Sequence, residues 1–120
     1  MLLEPFFGNA AQISAGHRGW FLGHFMEESG KPLHTRALEI KWGLHRKGET
    51  RADWDPEGSS TTLTLLIRGE FEVKFSDRQF TLNEEGDFVL WGPGIPHTWA
   101  ALDNSLILTV RWPSSPTKER

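Results

Sequence analysis

The chain has 120 residues and a formal net charge of −3, with six Trp, eight Phe, no Tyr and no Cys. A chain of this length accommodates one domain. The absence of cysteine excludes disulfides, thiolate metal sites and cysteine nucleophiles. The net negative charge does not indicate an electrostatic partner such as nucleic acid or an anionic membrane. We therefore expect one domain over 1–120 that binds neither.

No apolar run approaches the roughly 20 residues that a bilayer-spanning helix needs. Residues 1–10 lack the basic start and the long apolar stretch of a secretion signal. We therefore expect a cytoplasmic protein.

The first predicted strand, residues 19–26, is aromatic and bounded by glycines. The second, residues 36–45, alternates apolar with polar side chains, which is the period of a half-buried strand. The ordinary interpretation places its apolar side chains in the core and Glu39, Lys41 and His45 in solvent. The same even spacing would let these three side chains share a site if that face were turned inward.

The rest of the chain continues as short strands separated by turns. Strands are predicted at residues 61–67, 70–75, 78–82, 87–91, 97–102 and 105–112. No segment sustains a 3.6-residue period for ten residues, so no helix is predicted. Many short strands with frequent turns indicate a sandwich or a closed barrel.

The pattern divides the chain into three parts. Residues 1–35 carry the N-terminal strands and a segment able to serve as a dimer arm. Residues 36–112 form the barrel core, interrupted by the loop at 53–60. Residues 113–120 are rich in Pro, Ser and charge, and are expected to be a flexible tail.

Residues 86–97, GDFVLWGPGIPH, resemble the second conserved motif of the cupin superfamily. That motif is a Gly-Asp pair, a strand, a Pro-Gly corner and a Pro-His pair, here ending at His97. Residues 65–71, LLIRGEF, resemble the turn that closes the first motif, and residues 106–110 resemble the final strand. The resemblance covers 41–112 and implies an all-β fold, a jelly-roll barrel of double-stranded β-helix type.

The resemblance has two further implications. Cupins of this kind form homodimers, which we expect here through the N-terminal strands because sheet edges need covering. A narrower similarity to uncharacterised bacterial one-domain cupins rests on EIKWGLHRKGETRADW, VLWGPGIPHTW and TVRWP.

The first cupin motif departs from the family pattern. The family has a His-x-His pair and then a Glu, and in this register those positions hold Trp54, Pro56 and Thr61 or Thr62. His97 matches the remaining metal ligand, but a first-row metal needs several converging donors. A rearranged site for Zn, Fe, Mn or Ni would combine His45 and His97 with a loop carboxylate. The loop carboxylates are those of Asp53, Asp55 and Glu57.

The candidate ligand-binding residues are His97, Trp99, Trp54, His45 and Lys41. His97 either forms local hydrogen bonds at its corner or contacts a ligand at the barrel mouth. Trp99 shares the side of His97 and is either a stacking wall or barrel core. Trp54 replaces a coordinating His by an apolar surface, which favours an organic ligand.

Arg111 alternates with Val110 on the last strand. Its ordinary interpretation is an exposed strand residue. If its side faces inward, it should pair with an acid or a ligand carboxylate, because an unpaired buried charge is costly.

Three functions remain open at this point. The first is a small-molecule-binding cupin of unknown ligand that lacks the usual site of three His and one Glu. The second is a metal-dependent isomerase, dioxygenase or lyase centred on His45 and His97. The third is a structural or regulatory barrel without a ligand, which an interior volume below about 300 Å³ would favour. The fold hosts many activities, so it does not decide whether the protein is an enzyme.

Overall fold

The computed structural model describes residues 4–26, 32–51 and 59–115. In these ranges the chain forms eight strands, preceded by an α-helix at Ala10–Ile13 and a 3-10 helix at Ser14–Gly16. The all-β fold class is confirmed. The strands are Trp20–Leu22 (β1), Glu39–His45 (β2), Thr61–Arg68 (β3), Phe71–Phe75 (β4), Gln79–Leu82 (β5), Phe88–Trp91 (β6), His97–Ala101 (β7) and Ser105–Trp112 (β8).

The strands form two antiparallel sheets, as the jelly-roll expectation requires. The five-stranded sheet has the order β1-β2-β8-β3-β6, and the three-stranded sheet has the order β5-β4-β7. The inner faces meet in a core that contains Leu66, Phe71, Val73, Leu82, Trp91, Ala101 and Ile107. The segment after β2 runs along the outer edge of β7, where the Arg51 amide donates to the Trp99 carbonyl at 3.2 Å. That pairing carries Arg51 to the edge of the barrel.

The N-terminal region differs from the prediction in two respects. A helix of four residues begins after Asn9, whose side chain accepts a hydrogen bond from the Gln12 amide. It is too short to show a helical period, so the pattern did not predict it. The first strand is β1 alone and not residues 19–26, because at Gly23 (φ +152°) the chain leaves β2 and bonds to Leu33 instead. No helix in the described ranges is long and apolar enough to cross a membrane.

The orientation of β2 corrects the ordinary interpretation of its alternation. Glu39 is completely buried and Gly43 is buried, whereas Leu44 is 62% exposed. Lys41 and His45 line the barrel interior. The apolar side chains of β2 therefore face outward, and the prediction of a solvent-facing Glu39, Lys41 and His45 is wrong.

Strand pairing explains this inversion. The inner face of β2, β8 and β3 is crossed by one row that is mainly apolar and two rows that are polar. The apolar row is Gly43, Ile107 and Leu66; the polar rows are Lys41, Thr109 and Thr64, and then Glu39, Arg111 and Thr62. In each polar row the side chain of β2 lies beside a polar side chain of β8, which in turn lies beside a polar side chain of β3. Burial on that face keeps polar groups beside polar groups.

Ser114 lies in the segment that the sequence assigned to a flexible tail. It is 2% exposed, and its hydroxyl donates to Glu39 Oε1 at 2.8 Å. The same hydroxyl accepts from the His24 amide at 2.9 Å. The chain is therefore anchored at Ser114, beyond the end of β8.

Candidate functional site

A cavity of about 70 Å³ lies between the two sheets of the barrel. Its wall combines basic, hydroxyl and aromatic side chains. These side chains include Lys41, His45, Arg51, Thr62, Thr64, Phe71, Trp91, His97, Trp99, Thr109 and Arg111. Four of the five predicted ligand-binding residues, His97, Trp99, His45 and Lys41, thus lie around one cavity. The fifth, Trp54, lies outside the described residues.

The Pro-Gly corner determines the position of His97. Gly94 has φ +79°, a left-handed conformation that glycine adopts without a Cβ penalty. The corner places His97 at the start of β7, where its Nδ1 lies 3.1 Å from the Ile95 carbonyl oxygen. A carbonyl only accepts, so Nδ1 carries the proton in this hydrogen bond. The imidazole also packs on Trp91, with ring centroids 4.7 Å apart.

His45 lines another part of the cavity wall, where its ring packs against Trp99 and Phe71. Its ring centroid is 4.5 Å from that of Trp99 and 5.3 Å from that of Phe71. Gly43 makes room for the ring, since a Cβ there would stand 3.1 Å from His45 Nε2. Trp99 also stacks on Phe71 at 5.2 Å. Trp99 is therefore both a cavity wall and a packing partner of the core.

The protonation of His45 is affected by two opposing influences. Burial lowers its pKa, because an imidazolium loses hydration inside the barrel. Glu49 Oε1 lies 3.2 Å from His45 Nδ1 and acts in the opposite direction. The burial effect is the larger one, so the ring is mainly neutral at pH 7.

Lys41 and Arg111 share the ring of Trp20. The Lys41 ammonium lies 5.8 Å from the ring centroid, and the Arg111 guanidinium lies 4.9 Å from it. Both distances suit a cation–π contact. Burial, and then the positive charges of Arg111, Arg18 and Arg51, lower the pKa of Lys41. Positive charges therefore repel one another at the cavity wall.

Glu39 forms the centre of a buried polar network beside these cations. Its Oε2 lies 3.4 Å from Arg111 Nη1, and its Oε1 accepts from Ser114. His24 Nδ1 lies 3.7 Å from Glu39 Oε1 and 2.7 Å from the Ser114 hydroxyl. Arg111 thus faces inward and pairs with an acid, and His24 is a core histidine with polar partners.

The described residues do not form a transition-metal site. They contain no group of three or more His, Asp or Glu side chains that could hold a metal ion. His45 directs Nδ1 at Glu49, and His97 directs Nδ1 at a carbonyl. The loop carboxylates of the rearranged site, Asp53, Asp55 and Glu57, lie outside the described residues.

Sequence reasoning missed several residues of the cavity wall. Thr64 is not among the predicted site residues, and Thr62 enters the prediction only as one of two threonines at the Glu position of the first cupin motif, although both alternate with Leu63 and Leu65. That alternation was the available signal of two different faces. Arg51 and Trp91 gave no signal, because only the pairing of their segments brings them to the cavity.

Solved structures of other proteins have a similar architecture. A cupin superfamily protein from Desulfitobacterium hafniense superposes with a TM-score of 0.59 at 20% identity, covering 65% of this chain and 69% of that one. KdgF from Halomonas sp. gives a TM-score of 0.62 at 20% identity, covering 69% and 74%. The chain has the cupin fold.

A third neighbour of this cupin-fold chain is the DMSP lyase DddQ from Ruegeria pomeroyi, with a TM-score of 0.61 at 18% identity. The superposition covers 76% of this chain and 45% of that one. No family model and no curated protein matches the sequence. The neighbours carry different names, and at these identities the likeness concerns the fold alone.

Proposed function

We propose that this cupin-fold protein binds a small organic molecule in the barrel cavity, between His97, Trp99, His45 and Lys41. The observation that carries the proposal is the inward orientation of the polar rows. Burying polar groups in a core costs free energy unless they gain partners. A barrel needed only as a scaffold would be filled more stably by apolar side chains.

The cavity limits the size of the ligand. A volume of about 70 Å³ corresponds to about five water-sized positions, since each needs roughly 10–15 Å³. The ligand therefore has few non-hydrogen atoms. Its apolar part would contact the aromatic rings of Trp99 and Trp91, and its polar part would face the basic and hydroxyl groups.

Substitution of His97 tests this proposal. Small polar molecules are titrated into the wild type, His97→Ala and His17→Ala, with intrinsic tryptophan fluorescence as the readout. His17 is an exposed histidine outside the cavity and serves as the matched control. We expect at least roughly tenfold weaker binding to His97→Ala, because a cavity-wall contact and a hydrogen-bonding group are lost. Equal binding to all three proteins would contradict the assignment.

A ligand-free structural barrel is the second candidate. The cavity volume of about 70 Å³ favours it, because it lies below the roughly 300 Å³ of ordinary ligand pockets. In that case no small molecule should raise the thermal midpoint of the wild type more than that of His97→Ala.

A metal-dependent reaction at His45 and His97 would require further ligands beyond the described residues. Metal content per chain, measured by plasma mass spectrometry on protein purified without chelator, tests it. About one equivalent in the wild type, lost in His97→Ala, would replace the proposed function by this alternative. Incubation with Zn, Fe, Mn and Ni salts before desalting extends the test to weakly held metals.

We also propose that the protein is a homodimer. The outer face of the five-stranded sheet carries apolar side chains, among them Leu44, Phe88 and Leu90, which are 62%, 59% and 53% exposed. An exposed apolar surface of this kind is typical of protein interfaces. β1 forms one edge of the same sheet, and β6, which carries Phe88 and Leu90, forms the opposite edge.

Light scattering after size exclusion tests the homodimer. Phe88→Glu places a charge on the apolar face and should yield monomers. Phe7→Glu, at a side chain that is 96% exposed and outside that sheet, should leave the mass unchanged. A wild type that is monomeric at high concentration would overturn the proposal.

A further inference from the structure

We propose that the ligand of the cavity is a small organic carboxylate, bound by the charged side chains of Lys41 and Arg111. This inference rests on the proposed function and adds the chemical class of the molecule. It follows from the charges around the cavity, from where their counter-charges lie, and from the shape of the groups that face inward.

The cavity wall has basic side chains from three separate segments. Lys41 comes from β2, Arg111 from β8, and Arg51 from the segment that runs along β7. No Asp or Glu among the described residues lines the cavity. The charged side chains that line the cavity in the described part of the chain are therefore all basic.

The buried carboxylate of Glu39 is already engaged. Glu39 lies in the row beyond Lys41, pairs with Arg111 at 3.4 Å and accepts from Ser114 at 2.8 Å. Lys41 takes part in none of the ion pairs formed among the described residues. Its ammonium group is instead held over Trp20, which also carries the Arg111 guanidinium.

This arrangement is costly without an anion. A buried ammonium close to other cations loses hydration and is repelled by them, and both effects lower the pKa of Lys41. An anion in the cavity would reverse the sign of the interaction. Binding energy would then come from relieving a repulsion as well as from new hydrogen bonds.

Among anions, the aromatic rings favour an organic carboxylate. A guanidinium presents a planar set of donors that matches carboxylate and phosphate alike, and threonine hydroxyls donate to the oxygens of either. Thr109 lies beside Lys41 in its row, Thr64 lies beside Thr109, and both threonines line the same cavity. The rings of Trp99 and Trp91 offer apolar surface to a short carbon chain, which inorganic anions lack.

Isothermal titration of the dialysed wild type in Tris chloride buffer tests the class of ligand. The probes are acetate, lactate and malonate, their neutral amides, and inorganic sulfate and phosphate. We expect at least one carboxylate to bind, its amide to bind at least tenfold more weakly, and the inorganic ions to bind more weakly than the carboxylate.

The variant Lys41→Met tests the residue. Methionine keeps most of the length of the side chain and removes the charge. We expect at least tenfold weaker carboxylate binding, together with a higher thermal midpoint in the Tris chloride buffer without added carboxylate, because the repulsion is gone. Lys47→Met, the same change at an exposed position, should alter neither quantity.

Each of the following outcomes contradicts the carboxylate inference, the proposed function or both. Amides that bind as well as carboxylates, or unchanged binding in Lys41→Met, would overturn the carboxylate inference and leave the proposed function in place. Sulfate or phosphate binding more tightly than any carboxylate would replace it by an inorganic anion site. Neutral and charged probes that all fail to bind the wild type would overturn both. If Lys41→Met does not fold, the wild-type comparison of carboxylate with amide still decides the class.

Discussion

The apolar row and the polar rows lie on the same inner face and on the same three strands. Their side chains differ in polarity and in what they contact. β3 contributes Leu66 to the apolar row and Thr64 to the adjacent polar row, only two residues apart. Leu66 is 1% exposed and packs in the core cluster, whereas Thr64, also buried, faces the cavity. Along the strands of one sheet, the residues that pack in the core are therefore separate from those that present polar groups to the cavity.

This difference shows what the burial of a residue can mean. In the apolar row burial removes hydrocarbon from water, which stabilises the fold directly. In the polar rows burial removes charges and hydroxyls from water, which is unfavourable unless partners compensate. Glu39 has such partners in Arg111 and Ser114, and Lys41 has the weaker compensation of a cation–π contact.

The largest expected effect comes from the apolar row. Leu66→Ala should lower the free energy of unfolding by about 3 kcal/mol, because it leaves a cavity at a fully packed position. Thr64→Val, one row away and nearly isosteric, should change it by less than about 1 kcal/mol. Urea denaturation measures both. Equal losses at the two positions would break the distinction between the rows.

Glu39→Gln should have an intermediate effect. It removes the charge that faces Arg111, and hydrogen bonds to charged groups contribute about 1.5–3 kcal/mol each. We expect a loss of about 2 kcal/mol in unfolding free energy, measured by the same denaturation. Ser114→Ala removes only a hydroxyl from the same network and should cost about 1 kcal/mol. A larger loss for Ser114→Ala would mean that anchoring the chain end matters more than the ion pair.

The smallest expected effect is the pH dependence that His45 confers. Its pKa is lowered in the folded state, chiefly by burial, so below pH 6.5 the unfolded chain binds more protons at this residue. His45 therefore makes stability rise with pH between its folded pKa and 6.5, and the folded state is weakened as pH falls through that window.

Denaturation midpoints at pH 7.5 and 5.5 measure this contribution. His45→Gln should show a flatter dependence than the wild type, and His17→Gln, at an exposed position, should match the wild type. A steeper dependence in His45→Gln would mean that Glu49, and not burial, dominates the titration.

Much of the fold could be predicted because its signals are local. Glycine and proline mark the turns, and Gly94 has a positive φ in its corner. The strand at Ser105–Trp112 has the predicted bounds. The cavity position of His97 was also within reach, since the corner that aims it is a short continuous motif.

The inner wall of β2 could not be predicted by the same reasoning. An alternating strand has two faces, and the usual rule assigns its apolar face to the core. Here that rule fails at Leu44, which is 62% exposed, and at Glu39, which is completely buried. The exception can be explained only once β8 is known to place Arg111 beside Glu39.

The sequence by itself determined the class of the fold, the succession of strands along the chain and the corner that carries His97, because these depend on neighbours along the chain. The tertiary structure alone decided which face of each strand points inward, and with it the assembly of Lys41, Arg111 and the threonines around one cavity. The physical reason is that register between distant strands sets these contacts. Burial of a polar residue is tolerated only where such a partner strand supplies polar neighbours.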